Sequence, residues 1–118
     1  MTTSVVIGAA LGLVLAASTG AAQTPAATAT PDGAALYRQH CKTCHGSTGT
    51  PPQRMLAKYK DLPTLDSAFI AARSDDSLVV VIRDGIGRDM KPFKEKLTAQ
   101  EIAAVAQFLR TLGASKAP

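Results

Sequence analysis

The sequence predicts an all-α domain of three to four helices joined by long loops, and three observations carry that prediction. Helix N-cap residues stand at Asp32, Ser74 and Thr98, each followed by apolar side chains at helical spacing. Two stretches rich in Gly or Pro, 46–53 (GSTGTPPQ) and the Gly-rich run ending at Phe93, fall between those helices, where loops belong. No internal repeat is visible, and 118 residues leave room for one core only.

The chain opens on Val5 to Ala17 (VVIGAALGLVLAA), an unbroken run of apolar and small residues followed by Ser-Thr-Gly-Ala-Ala. The run is short for a membrane span and suits a secretory leader with cleavage after Ala22, so 1–22 is read as a signal peptide. The lack of Lys or Arg before it keeps an uncleaved anchor as the alternative, and only then would the protein touch a membrane. Residues 23–31 (QTPAATATP) cannot build a core and read as a flexible linker. The folded domain then spans 32–113, with 114–118 as a disordered tail.

Within that domain Asp32 caps a first helix whose Leu36, Tyr37 and Cys41 share a face, and which is expected to run through to Gly46. A short helix is expected over Asp66 to Arg73, turning Phe69 and Ile70 inward. Ser74-Asp75-Asp76 offers a cap and acidic first turn, and Gly85 stands where a helix terminator belongs. Between them Leu78-Val79-Val80-Val81-Ile82 has strand propensity, yet its flanks favour helix. Thr98 and Glu101 form a capping box, and Ile102, Val105, Ala106, Leu109 and Leu112 line one helix face before Gly113.

The 13 basic and 9 acidic residues all follow residue 31, for a net charge of +4. No Lys/Arg run with interleaved aromatics occurs, which argues against nucleic-acid binding. Aromatic residues make up 4% of the chain, and a core so small and so poor in aromatics gains from a large apolar cofactor at its centre.

Both cysteines lie in RQHCKTCHGS, residues 38–47. A Cys41–Cys44 disulfide would close a tiny loop and leave His45 unexplained. A structural zinc site needs four ligands, and His40 beside Cys41 has the wrong spacing. A thioredoxin-like dithiol belongs at the end of a strand in an α/β fold, not in an all-α one. Covalent haem attachment accounts for all three residues: two thiols one helical turn apart add across the porphyrin vinyl groups, and the next residue, His45, falls under the iron as proximal ligand. One such motif implies one haem c per chain.

The opposite face of the iron needs a second donor. His40, five residues before His45, cannot reach it and reads as a solvated helix residue. Met1 leaves with the leader, and Met55 lies close after the motif, where an apolar side chain covers haem or core. Met90, in the loop DGIGRDMKPF, is positioned between two helices and is the candidate distal ligand.

In these features the sequence resembles the class I c-type cytochromes, in particular small monohaem bacterial members. The resemblance rests on DGAALYRQHCKTCHG, RSDDSLVVVIRDGIGRDMKPF and KLTAQEIAAVAQFLRTL, in that order, across residues 32–113. It implies the cytochrome c fold wrapped around one covalent haem, with the first and last helices crossing at Gly33, Tyr37 and Phe108. It also implies a proline whose carbonyl accepts the proximal imidazole N–H, a part that Pro51 or Pro52 would play. The haem pocket is expected to include Pro52, Leu65, Phe69, Ile82 and Phe93, with Leu62 and Leu78 nearby.

The function expected is that of a periplasmic one-electron carrier, not an enzyme, working as a monomer between a donor and an acceptor redox protein. Arg88, Lys91, Lys94 and Lys96 flank Met90 and Lys42 lies inside the motif, a set suited to an acidic docking partner or to an ordinary solvated face. Two alternatives use the same residues: an electron-transfer subunit fixed in a redox complex, and a haem peroxidase or gas-binding protein with an open distal site.

Overall fold

The computed structural model describes residues 29–115; the expected leader, most of the linker and the last three residues lie outside them. Among the described residues there are six helices and no strand: α1 (Gly33–His40), α2 (Lys42–His45), α3 (Gln53–Lys58), α4 (Ser67–Ala71), α5 (Asp75–Asp84) and α6 (Ala99–Ala114). The caps of α1, α5 and α6 lie where the sequence put them, and Asp66, a residue not among the expected caps, caps α4. The side chains of Asp32, Asp66, Ser74 and Thr98 each accept a backbone N–H three residues on. The Glu101 carboxylate returns to the Thr98 N–H at 2.7 Å, and that bond holds its carboxyl below the usual carboxylate range.

Two differences from the expected pattern are local. The first helix breaks at Cys41, whose φ of −115° leaves the helical range, so the motif forms its own four-residue turn, α2. The loop after the motif also contains an unexpected helix, α3, because the Pro52 carbonyl accepts from the N–H groups of Met55 and Leu56 and starts a turn that QRMLAK continues. The valine-rich run is helical, with Leu78 and Ile82 inward on α5. Its strand propensity yields to the Ser74 cap and the burial of one helical face.

Helix α6 is the backbone of the core and packs against α1, α4 and α5. Its buried face, Ile102, Val105, Ala106, Leu109 and Leu112, meets Tyr37, Leu65, Ile70, Leu78, Ile82 and Leu97. Gly33 lets α1 cross at close range: a Cβ there would run into the Ala104 carbonyl and lie 3.1 Å from the Phe108 Cβ. One turn on, the Tyr37 and Phe108 rings pack with centroids 5.3 Å apart. On the far side, Arg110 donates to the carbonyls of Ile70 and Arg73 and to Asp75 Oδ1, closing the α4–α5 junction onto α6.

Candidate haem site

Cys41 ends α1, and its N–H donates to the Tyr37 carbonyl at 2.9 Å. Its own carbonyl accepts from both Cys44 and His45, at 3.2 and 3.0 Å, and this winds the two intervening residues into a single turn. Gly46 closes that turn with its N–H on the Lys42 carbonyl. The Gly46 carbonyl accepts from the Tyr37 hydroxyl at 2.8 Å, so the turn is tied back to the helix that leads into it. Tyr37 is 1% exposed, and burial, with the neighbouring Cys41, pushes its hydroxyl up to about 12.

Both cysteines are free and half-buried. Burial, then the proximity of Cys44, pushes the Cys41 thiol up to about 11, so it stays a neutral thiol at pH 7. Burial also lowers the basicity of His45, which favours the neutral imidazole that binds metals. Its Nδ1 is buried without a hydrogen-bond partner. Neither Pro51 nor Pro52 therefore accepts a hydrogen bond from that atom, contrary to the expected proline contact. The Pro52 carbonyl is occupied instead by the first turn of α3.

Met90 lies in a short hairpin. Its carbonyl accepts from the Ile86 N–H at 2.9 Å, and its N–H donates to the Ile86 carbonyl at 3.2 Å. Gly85, at φ +74°, leads into it, and a Cβ there would strike the Met90 carbonyl. Beyond it, the Phe93 N–H is shared between the carbonyls of Ile82 and Arg83, each at 3.2 Å, fastening the loop to the end of α5.

The expected pocket residues divide into two groups. Leu65 and Ile82 are in the buried core, and Phe69, Phe93, Met90 and Cys41 are half-buried against that same core. Phe69 carries the Arg73 guanidinium over its ring at 3.4 Å. Cys44, His45, Pro52 and Met55 are half-buried outside that core. Two surface hollows, of about 190 and 280 Å³, lie beside α4 and at the α1–α6 crossing; neither is lined by the cysteines, His45 or Met90. Sequence reasoning missed the Tyr37–Gly46 bond. Its one signal was that Tyr37, four residues before Cys41, lies on the same helix face. It also placed His40 in solvent, whereas its ring is half-buried against Phe93.

The donor set fits a haem held by its vinyl groups: two thiols on one turn, a neutral imidazole directly after them with an unused buried nitrogen, and a thioether on the far loop. Comparison with known proteins agrees. The profile of the family described as cytochrome C oxidase, cbb3-type, subunit III matches residues 28–109. A solved structure described as the KustC0563 c-type cytochrome is 39% identical, with a TM-score of 0.61 over 69% of this chain and 96% of that one. A second structure, of a tyrosine-to-phenylalanine mutant of Kustc0563, is 38% identical at the same TM-score, over 69% and 98% of the two chains. No curated protein matches. With a family profile spanning most of the domain and helices arranged as in a solved c-type cytochrome, the chain belongs to this cytochrome family and is a class I c-type cytochrome.

Proposed function

We propose that the protein is an exported, periplasmic one-electron carrier with a single haem c, attached through Cys41 and Cys44 and ligated by His45 and Met90. The observation that supports this most directly is the turn of residues 41–46, where Tyr37 fixes both ends of a segment bearing two thiols and a buried imidazole with a free Nδ1. When bound, haem c supplies an iron that takes up and releases one electron. His45 holds its place because α2 is anchored to α1, and burial keeps the ring neutral. Met90 is a soft donor favouring the reduced state, held by its paired hydrogen bonds to Ile86. Leu65, Ile82, Phe69 and Phe93 present apolar surface that disfavours the extra positive charge of the oxidised state. Export agrees with the apolar leader expected over 1–22, since bacterial attachment of haem c occurs outside the cytoplasm.

Docking falls to the exposed Arg88, Lys91, Lys94 and Lys96 around Met90, facing an acidic redox partner. Asp84 pairs with Arg83 and Lys94 and dilutes that charge. Association rates that fall as ionic strength rises would support this surface, and rates indifferent to salt would remove it. A second reading, a subunit fixed in a redox complex, is favoured by the description of the matching family and by Val80 and Ile86, exposed at 44% and 58%. It predicts co-purification with one redox enzyme at constant stoichiometry.

The test is an absorption spectrum of protein made in a haem-attaching host, oxidised, then reduced, then exposed to carbon monoxide. The carrier shows sharp reduced bands, the weak long-wavelength sulfur-to-iron band when oxidised, and no response to carbon monoxide. A response to carbon monoxide would replace the carrier with an open-site protein, and absence of covalent haem would overturn the attachment itself.

A further inference from the structure

The rings of His40 and Phe93 meet edge to face, with centroids 6.0 Å apart and planes at 74°. His40 is the last residue of α1, directly before Cys41, and Phe93 lies three residues beyond Met90. The contact therefore joins two segments that are far apart in sequence and carry the two halves of the haem site. Phe93 is fixed on its other side as well. Its N–H is held by the carbonyls of Ile82 and Arg83, its carbonyl accepts from Leu97 at 2.8 Å, and its ring packs on the core. Between the α5 end and Phe93, the hairpin itself projects outward: Ile86, Gly87, Arg88, Asp89, Lys91 and Pro92 are all exposed. Whatever holds the Phe93 ring thus limits how far Met90 can swing.

We propose that His40 is a positioning residue for the distal ligand: its ring, mounted on the rigid end of α1, latches Phe93 and keeps the Met90 hairpin closed. The inference rests on the reading of Met90 as the distal donor. An edge-to-face ring pair multiplies the closed-to-open ratio by about 2- to 12-fold, so its loss raises the minor open population by about that factor. A small competing ligand binds the iron only when Met90 is off, and its apparent affinity reads the open fraction.

Imidazole titrated into oxidised holoprotein, followed by loss of the sulfur-to-iron band, measures this. His40→Ala should bind imidazole about 2- to 12-fold tighter than the parent, and His40→Phe, which restores a ring edge, should return to the parent value. Amide exchange adds a readout that does not pass through the iron. The Met90 N–H, bonded to Ile86, should exchange faster in His40→Ala, while the Cys44 and His45 N–H groups on the attachment turn keep the parent rates. Unchanged imidazole affinity in His40→Ala overturns the inference, and so does an equal rise in His40→Ala and His40→Phe, which would mean a loosened α1 rather than a lost ring contact. A parent protein without the sulfur-to-iron band would sink the Met90 reading and the latch with it. A parent with the band and an unresponsive His40→Ala variant would sink the latch alone.

Discussion

The segment carrying Cys41, Cys44 and His45 continues a helix that crosses α6 so closely that a Cβ at Gly33 would strike the Ala104 carbonyl, with Tyr37 buried at its centre and bonded to both the approach and the exit of the turn. The segment carrying Met90 leaves α5 through a glycine and crosses solvent-exposed residues. It is held by one pair of backbone bonds to Ile86, by backbone bonds at Phe93 and Lys94, by a ring edge, and by Met90 and Phe93 resting half-buried on the core. The first is fixed by packing, which fails only when the core fails. The second is fixed by a few local contacts, which open at lower cost than the whole fold. The attachment turn is therefore part of the folding unit, and under the proposed His45/Met90 ligation the Met90 hairpin is the half expected to open first.

The largest effect falls on the packed half. Gly33→Ala drives a methyl group into the Ala104 carbonyl and should cost about 3 kcal/mol, read as a lower denaturation midpoint of the holoprotein. A neutral result would show that α1 shifts freely and would remove the contrast. Gly85→Ala comes next, since it combines a positive φ with a clash on the Met90 carbonyl, for a local cost of about 2 kcal/mol. Its effect should appear at the iron, as carbon monoxide binding to the reduced protein, with a smaller change in the global midpoint. An equal loss in both would mean that the hairpin belongs to the folding unit after all.

Tyr37→Phe removes the bond to the Gly46 carbonyl and should cost about 1 kcal/mol. It also tests a pH slope. Burial raises the folded hydroxyl from the ordinary 10.0 to about 12, so the unfolded chain ionises first and stability falls as pH rises between those values. The holoprotein, in which the proposed attachment makes Cys41 a thioether, should show that fall, and Tyr37→Phe should lessen it. The smallest effect is expected for Asp84→Asn. The Asp84 carboxyl is held below the usual carboxylate range by its Arg83 hydrogen bond, yet the pair is exposed, and its loss should leave the melting temperature within error. A clear drop would mean that charge, rather than backbone pairing, secures the Met90 loop.

What could be read from sequence alone was what lies within a few residues. Asp32, Ser74 and the Thr98–Glu101 box announced their helices because a cap is a bond between a side chain and a backbone group three positions on. The attachment motif was equally legible, since its chemistry needs two thiols and an imidazole at fixed spacing. Helix α3 was missed because Pro51 and Pro52 read as breakers, although a proline just before a helix supplies a free carbonyl. The break at Cys41 was missed because nothing in the residue types marks it.

Sequence by itself therefore determined α1, α4, α5 and α6, the caps of α1, α5 and α6, and the c-type cytochrome family. Tertiary structure decided that α1 approaches α6 within reach of the Ala104 carbonyl, that Tyr37 ties the attachment turn, that no proline takes the His45 Nδ1, and that His40 meets Phe93. The physical reason is range. Caps and motifs are bonds between near neighbours in the chain, whereas these contacts join segments that only the packing of α1, α5 and α6 brings together.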